Sequence, residues 1–393
     1  MKSQNYKAMV IFAILIFVVF GLSPIWQNSQ ARVAGPLLRI GVLAPKTGFG
    51  ASWAVEGLAG LEVAKEEIHS LGGVDGVPVE FIVYDTATKP QEAIQMMNKL
   101  IYTDRVLTII GPTTTSECEV SFPIANRARI SCVGLLSATP GVSARFRPWA
   151  FRNTLTSDKI LGPLVKYWAR DNKTKKAAII YDKKFDYTKF DGEKFFPAAL
   201  QAAGIEILGS VTYLTGDIDF SAQVTKIKTW NVDSLILSCL HPEAALIVKE
   251  VKKQNLRVSM VGGLDLMSPQ FIRLGGSAAE GVWTAHSFWP ENPDPKFQRV
   301  MKKARLILKD KEPSANTARY YDNAMINYHL IKELGVTNRS EDLESDREKI
   351  MKGWTALKDF PGVEGKITMN EDGDGQKTTY IFVVENGKFK KMY

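Results

Sequence analysis

From Leu37 onward the sequence alternates short, almost continuous apolar runs with longer segments whose apolar residues recur at helical spacing. That rhythm admits few folds. LLRIGVL at 37–43 and VEFIVY at 79–84 are too uniformly apolar for a sheet with one wet face, and they suit parallel strands covered on both sides. Between them, Leu58, Leu61, Val63, Ala64 and Ile68 mark a helix over 55–70. Strand, helix, strand is the βαβ pattern, so the sheet is parallel. A helix at 91–102 and a strand at 106–110 continue it. After Phe151, Arg152 and Asn153 the rhythm restarts, with helices at 160–170, 192–203, 220–229 and 241–255 and strands at 177–181, 205–213, 234–239, 258–262 and 281–285. Two successive α/β series imply two similarly built lobes, although no identity between them amounts to a repeat. The last section reads as helices at 296–308, 317–334 and 351–358, then strands around a turn. Without strands among them, those helices pack onto an earlier lobe and form no third domain.

A chain of 393 residues suits two domains. Its start is different. Lys2 and Lys7 precede the apolar stretch 9–22, and Ser29, Gln30 and Ala31 follow, the layout of a secretory signal over residues 1–31. Fourteen apolar residues are few for a spanning helix, which needs about 20. Cleavage would leave 48 basic against 42 acidic residues, 48 − 42 = +6. No basic block or aromatic stripe accompanies that charge, which argues against nucleic acid. Cys118, Cys132 and Cys239 are an odd number for an oxidising compartment. The first two would sit at opposite ends of a βα unit, so buried free thiols are expected. No CxxC or HExxH occurs, and no metal or other cofactor is expected.

Function concentrates in residues 109–140, IIGPTTTSECEVSFPIANRARISCVGLLSATP. Two apolar runs end in hydroxyl clusters, Thr113 to Thr115 and Ser137 to Thr139. At the carboxyl ends of parallel strands such clusters face the crevice where ligands bind, and helix N-termini there suit a carboxylate. Each hydroxyl alone is accounted for by helix capping. Asp265, at another strand end, would suit an ammonium, and a zwitterionic amino acid needs both kinds of group. GFGASW at 48–53 has Trp53 where the third glycine of a dinucleotide fingerprint belongs, so Trp53 is better read as a loop aromatic offered to a ligand. NEDGDG at 370–375 imitates a calcium loop but has Ile381 at its twelfth position and reads as a polar turn. GLLSATPG does not have the G-x-S-x-G spacing of a nucleophile elbow. His69, His241, His286 and His329 are scattered, and His241 serves to start a helix with Pro242 and Glu243. No nucleophile, base and orienting acid assemble, so no enzyme is indicated.

Taken in order, LLRIGVLAPKTG, GLEVAKEEIHSLGGVDGVPVEFIVYDTATKPQEA, IIGPTTTS, LLSATP, RYYDNAMINYHLI and ENGKFKKM resemble the leucine/isoleucine/valine-binding protein family, the solute receptors of amino acid ABC importers. The resemblance implies an α/β fold of two Rossmann-like lobes with parallel sheets, the type I periplasmic binding fold, joined by three hinge crossings near 152–154, 284–287 and 372–377. Lobe 1 would be 38–153 plus 286–374, and lobe 2 would be 154–285 plus 375–393. It also implies a periplasmic, monomeric receptor with an ABC permease as partner and an amino acid or related carboxylate as ligand. Family binding positions fall on Trp53, Thr115, Ser137, Ala138, Thr139, Tyr187, Leu240 and Asp265. Ser137 and Thr139 would hold the α-carboxylate and ammonium, Asp265 would meet the ammonium, and Leu240 replaces a frequent tyrosine wall. Phe185, Phe288 and Trp289 add aromatic surface near the expected cleft. An aromatic carboxylate, or a sensory role for the same clamp, remains open at this point.

Overall fold

The apolar runs pair into two sheets in the computed structural model, which describes residues 37–309 and 311–393; the expected signal at 1–31 lies outside them. The first sheet holds β1 (Leu38–Ala44), β2 (Val79–Asp85), β3 (Thr108–Ile110), β4 (Cys132–Gly134) and β5 (Ala150–Arg152), in the order β2-β1-β3-β4-β5. Every pairing in it is parallel. The second holds β6 (Lys176–Asp182), β7 (Glu206–Tyr213), β8 (Ser234–Ser238), β9 (Ser259–Gly262) and β10 (Trp283–His286), with β14 (Tyr380–Glu385) and β15 (Lys388–Lys391) added beside β10. Those last two strands run antiparallel, so this sheet is not wholly parallel. β14 lies antiparallel beside β10, and β15 folds back on β14 through the short return 386–387, a connection open only to an antiparallel pair. A small antiparallel sheet of β11 (Phe360–Gly362), β12 (Gly365–Met369) and β13 (Gly375–Gln376) precedes the return.

Both large sheets reverse strand order at the same place. The connection from β1 runs outward to β2 and returns on the other side of β1 as β3; β6, β7 and β8 repeat the move. Ligands in open α/β sheets sit outside the carboxyl ends of the strands at such a reversal. The loops after β1 and β3 and those after β6 and β8 are therefore the ones to watch. Gly111 shapes one of them: its φ is +97°, and a Cβ there would lie 2.4 Å from the Leu43 carbonyl oxygen. Only glycine fits the turn that delivers Thr113 to Thr115.

The helix Ala51–Ser70 packs along the helix Ala315–Glu333, and both belong to the apolar core of the first lobe together with Phe297, Val300 and Met301 of the helix Pro295–Leu308. Gly57 and Gly60 permit the close approach: a Cβ on Gly60 would lie 2.0 Å from the Thr317 carbonyl oxygen, and one on Gly57 would meet the Tyr320 ring at 2.4 Å. The two N-terminal halves are thereby brought to one cleft wall. The helix expected at 351–358 instead covers Leu343–Thr355. Its buried face is partly polar, with Asp346 accepting the Thr337 and Asn338 N–H groups and Arg347 donating to the Val106 and Ile101 carbonyls, so hydrophobic periodicity misses its first half. The helix expected at 192–203 is broken into Asp186–Phe190, a π-turn over Asp191–Phe195, and Phe196–Ala202. All three cysteines are free and buried, and Cys118 and Cys132 share one apolar cluster. They are not at opposite ends of their unit, because β4 is only three residues long: Cys132 Sγ reaches the Gly111 carbonyl just past β3, and Cys118 Sγ lies against Gly134.

Buried ion pairs tie together the segments that run from one sheet to the other. Arg152 forks onto Asp374 with bonds of 2.7 and 2.8 Å and donates a third, of 2.9 Å, to the Ser137 carbonyl. Lys377 Nζ reaches Glu364 at 2.5 Å and the Asn153 carbonyl at 3.1 Å, while Ser287 Oγ donates to the other Glu364 oxygen at 3.0 Å. The NEDGDG turn thus has a structural use, since it carries Asp374 to Arg152. No cluster of His, Cys, Asp and Glu suited to a metal occurs among the described residues.

Candidate ligand-binding cleft

Between the lobes lies a cavity of about 360 Å³, within the usual size of small-molecule sites. Its mouth is aromatic. Trp53 sits in the first turn of the helix Ala51–Ser70, and Phe49 stands edge-on to it at 5.4 Å. From the other lobe Phe185 approaches Phe49 at 5.7 Å and Trp53 at 6.3 Å, and Tyr187 follows Phe185 at 5.5 Å. The strip bridges the lobes ring to ring.

The first lobe contributes a hydroxyl cluster at the N-terminus of the helix Thr115–Ala128. Thr114 caps it with a reciprocal Glu117 contact, a capping box. Thr115, one residue in, lines the cavity, and its Oγ1 lies 3.1 Å from Ser137 Oγ and 3.4 Å from Thr139 Oγ1. Ser137 and Thr139 are not on the cavity wall: they back Thr115, and their carbonyls are held by Arg152. Ala138 is on the wall, its carbonyl taken by the Ser157 N–H at 3.0 Å.

The second lobe contributes charge. Asp265 Oδ2 accepts both the His241 backbone N–H and its ring Nδ1, each at 2.7 Å, and His241 Nε2 lies 3.3 Å from Gln270 Oε1. Burial alone would raise the Asp265 carboxyl, but the His241 charge and these hydrogen bonds hold it below its usual range. Burial likewise opposes a charged His241, and Asp265 overcomes it, raising the imidazole above its ordinary value. Both shifts describe an ion pair. Leu240 is almost fully buried behind His241 and does not line the cavity, so the wall expected of it belongs to His241. Tyr187 lines the cavity with its hydroxyl buried and without a hydrogen-bond partner among the described residues.

The floor holds residues for which the sequence reading assigned no binding role. Glu56, three residues after Trp53 on the same helix face, accepts from Ser314 Oγ at 2.5 Å and Asn316 Nδ2 at 2.9 Å, and burial raises its carboxyl. Beside them stand Arg319 and His286, both at least nine-tenths buried. Burial, then Arg319, push the His286 imidazole down to about 3, so it is neutral. The i, i+3 spacing of Trp53 and Glu56 was the one local signal available. Of the additional aromatics, Phe185 lines the cleft, Phe288 packs on Phe297 in the core, and Trp289 packs on Tyr380.

A model of the periplasmic binding proteins matches residues 38–388. The Leu/Ile/Val-binding protein BraC3 of Rhizobium johnstonii is 28% identical over 363 residues, spanning 91% of this chain and 94% of that protein. The leucine-binding protein LivK of Thermotoga maritima superposes with a TM-score of 0.80 at 25% identity, covering 91% of this chain and 98% of its own. A solute-binding protein of an ABC transporter from R. palustris, solved with 4-hydroxybenzoate, superposes with a TM-score of 0.79 at 20% identity over 91% and 96% of the two chains, a likeness of fold. Two lobes with matching strand reversals, a cavity between them and a family match over nearly the whole described chain agree: this chain belongs to the periplasmic binding protein family.

Proposed function

We propose that this protein is the periplasmic receptor of an ABC importer and captures an amino acid between its lobes, without chemical conversion. The observation that carries the reading is the opposition across one small cavity of Thr115, at a helix N-terminus, and the Asp265 carboxylate. A carboxylate is stabilised by the helix N–H groups and hydroxyls, and an ammonium by Asp265. The names of BraC3 and LivK support an amino acid as cargo.

Lobe 1 is assigned 38–153 plus 286–374 and lobe 2 154–285 plus 375–393, with the buried ion pairs as hinge fasteners. Ligand contacts from both lobes favour the closed form over the open one, and only such differential affinity moves the equilibrium. Trp53, Thr115, Ala138, Tyr187 and Asp265 contact the ligand, while Ser137, Thr139 and Leu240 support them from behind. Release into a permease completes the cycle.

The pairing of Asp265 with His241, together with the aromatic mouth, favours a second reading, an aromatic carboxylate without an amine. Mass spectrometry of ligand released from denatured protein separates the two. An amino acid supports the first reading, an aromatic acid the second, and a chemically altered ligand after incubation would overturn both.

A further inference from the structure

Arg319 is the least satisfied charged group around the cavity. It is 5% exposed and lines the cavity floor. A guanidinium carries five N–H donors and no acceptor. Its Nε has no hydrogen bond, and the carboxylate nearest to it, Glu364, lies 3.8 Å away. That carboxylate is already held by Lys377 and Ser287. Glu56, the acidic group that lines the floor beside Arg319, is committed to Ser314 and Asn316.

Among the described residues, the one contact of Arg319 at hydrogen-bond distance is Nη2 to His286 Nε2 at 3.0 Å. It fails on proton count. His286 Nδ1 receives the backbone N–H of Phe288 at 2.8 Å and so carries no proton. The ring is neutral, which puts its single proton on Nε2. A guanidinium N–H and an imidazole N–H then face each other with nothing to accept from either. Buried donors left in this state are expensive, and an acceptor lying against both removes the expense.

We propose that Arg319 and His286 form a second recognition point in the cleft, which binds a planar acceptor oxygen, carboxylate or carboxamide, on the side chain of the amino acid ligand. This rests on the amino acid reading above. The head group is held by Thr115 and Asp265, and the far end carries the oxygen. An aliphatic end would leave both donors without an acceptor, so a branched-chain amino acid is the poorer ligand here.

The test uses two sets matched in size, L-aspartate, L-asparagine and L-leucine, then L-glutamate, L-glutamine and L-homoleucine, titrated calorimetrically into ligand-stripped protein. In at least one set an oxygen-bearing member binds ten-fold or more tighter than the aliphatic one, and the acid and amide arms tell which oxygen is preferred. His286→Leu abolishes that preference, whereas His286→Gln, which also loses the Phe288 contact but keeps a donor near Nε2, retains it. Aliphatic members binding as tightly as the others in both sets, or a preference indifferent to both variants, would overturn the proposal while leaving the amino acid receptor intact. Absence of binding by all six would instead overturn the amino acid reading beneath it.

Discussion

Where the chain passes between the two sheets, Arg152 is fully buried and spends three of its nitrogens on Asp374 and the carbonyls of Ser137 and Thr139. At the cleft floor, Arg319 is nearly as buried, its one hydrogen-bond neighbour among the described residues is another donor, and the Glu364 carboxylate stands off at 3.8 Å. The same side chain in the same depth of protein thus serves opposite purposes. A buried charge with its valences closed inside the chain fastens structure, and one with open valences is held for a ligand. Lys377 and Glu364 repeat the first case, and the neutral Tyr187 hydroxyl is left open in the manner of the second.

The sharpest break of that comparison is Lys377→Met, which leaves Glu364 buried without its nearest cation. Unfolding free energy should fall by about 3–5 kcal/mol, since removing one partner of a buried pair strands the other. Urea denaturation measures it. Adding Glu364→Gln should recover a large part, because no uncompensated charge then remains. A loss under 1 kcal/mol would mean that the hinge pair is not a fastener.

Two histidines of the cleft sharpen the comparison through pH. In the folded chain His286 stays neutral down to about 3, while unfolded it protonates near 6.5. Below 6.5 the unfolded state therefore binds a proton that the folded state refuses, and stability falls by about 1.4 kcal/mol per pH unit. His286→Gln should remove that slope between pH 6.5 and 4.5. His241 has the opposite sign: its raised value contributes stability below 6.5, lost as pH rises through the folded value, while the lowered Asp265 contributes above 3.8. Parallel urea titrations of the wild type and His286→Gln that show equal acid slopes would reject the neutral assignment.

In the cleft, Asp265→Asn should cost little stability beside the hinge variant and weaken amino acid binding by roughly 30-fold, about 2 kcal/mol, for loss of one charge-assisted contact. Calorimetry with the tightest ligand of the panel gives the value. Unchanged affinity favours an aromatic acid.

The lobes were legible because strand and helix periodicities are local: the apolar runs of β1 to β4 and β6 to β10 announce themselves within seven or eight residues, whereas the three-residue β5 does not. Trp53 and Thr115 were legible for a related reason, since the strand reversal gathers the loops that carry them, and Asp265 because it stands just past the carboxyl end of β9, at the same edge of its sheet. Arg319 and Glu56 were not. They meet the same cavity because Gly57 and Gly60 let two helices some 260 residues apart in sequence approach closely, near enough for the Asn316 and Glu56 side chains to bond. No spacing rule carries that information. Leu240 misled for a simpler reason: a residue at a strand end can point into the core while its neighbour His241 takes the wall.

Thr115→Val is the smallest and most discriminating change. The threonine is nearly isosteric with valine, so the fold should be undisturbed, yet its Oγ1 sits between the ligand space and the hydroxyls of Ser137 and Thr139. If Thr115 donates to the ligand while accepting from Ser137, the variant loses one ligand bond of about 1 kcal/mol, some five-fold in affinity, and leaves Ser137 Oγ looking for an acceptor. If instead the hydroxyls satisfy one another and the ligand touches only backbone N–H groups, affinity is unchanged and the deficit appears in unfolding free energy alone. The cleft side of the comparison requires the first outcome. Open valences belong to the ligand, so the loss must be read in binding before it is read in stability.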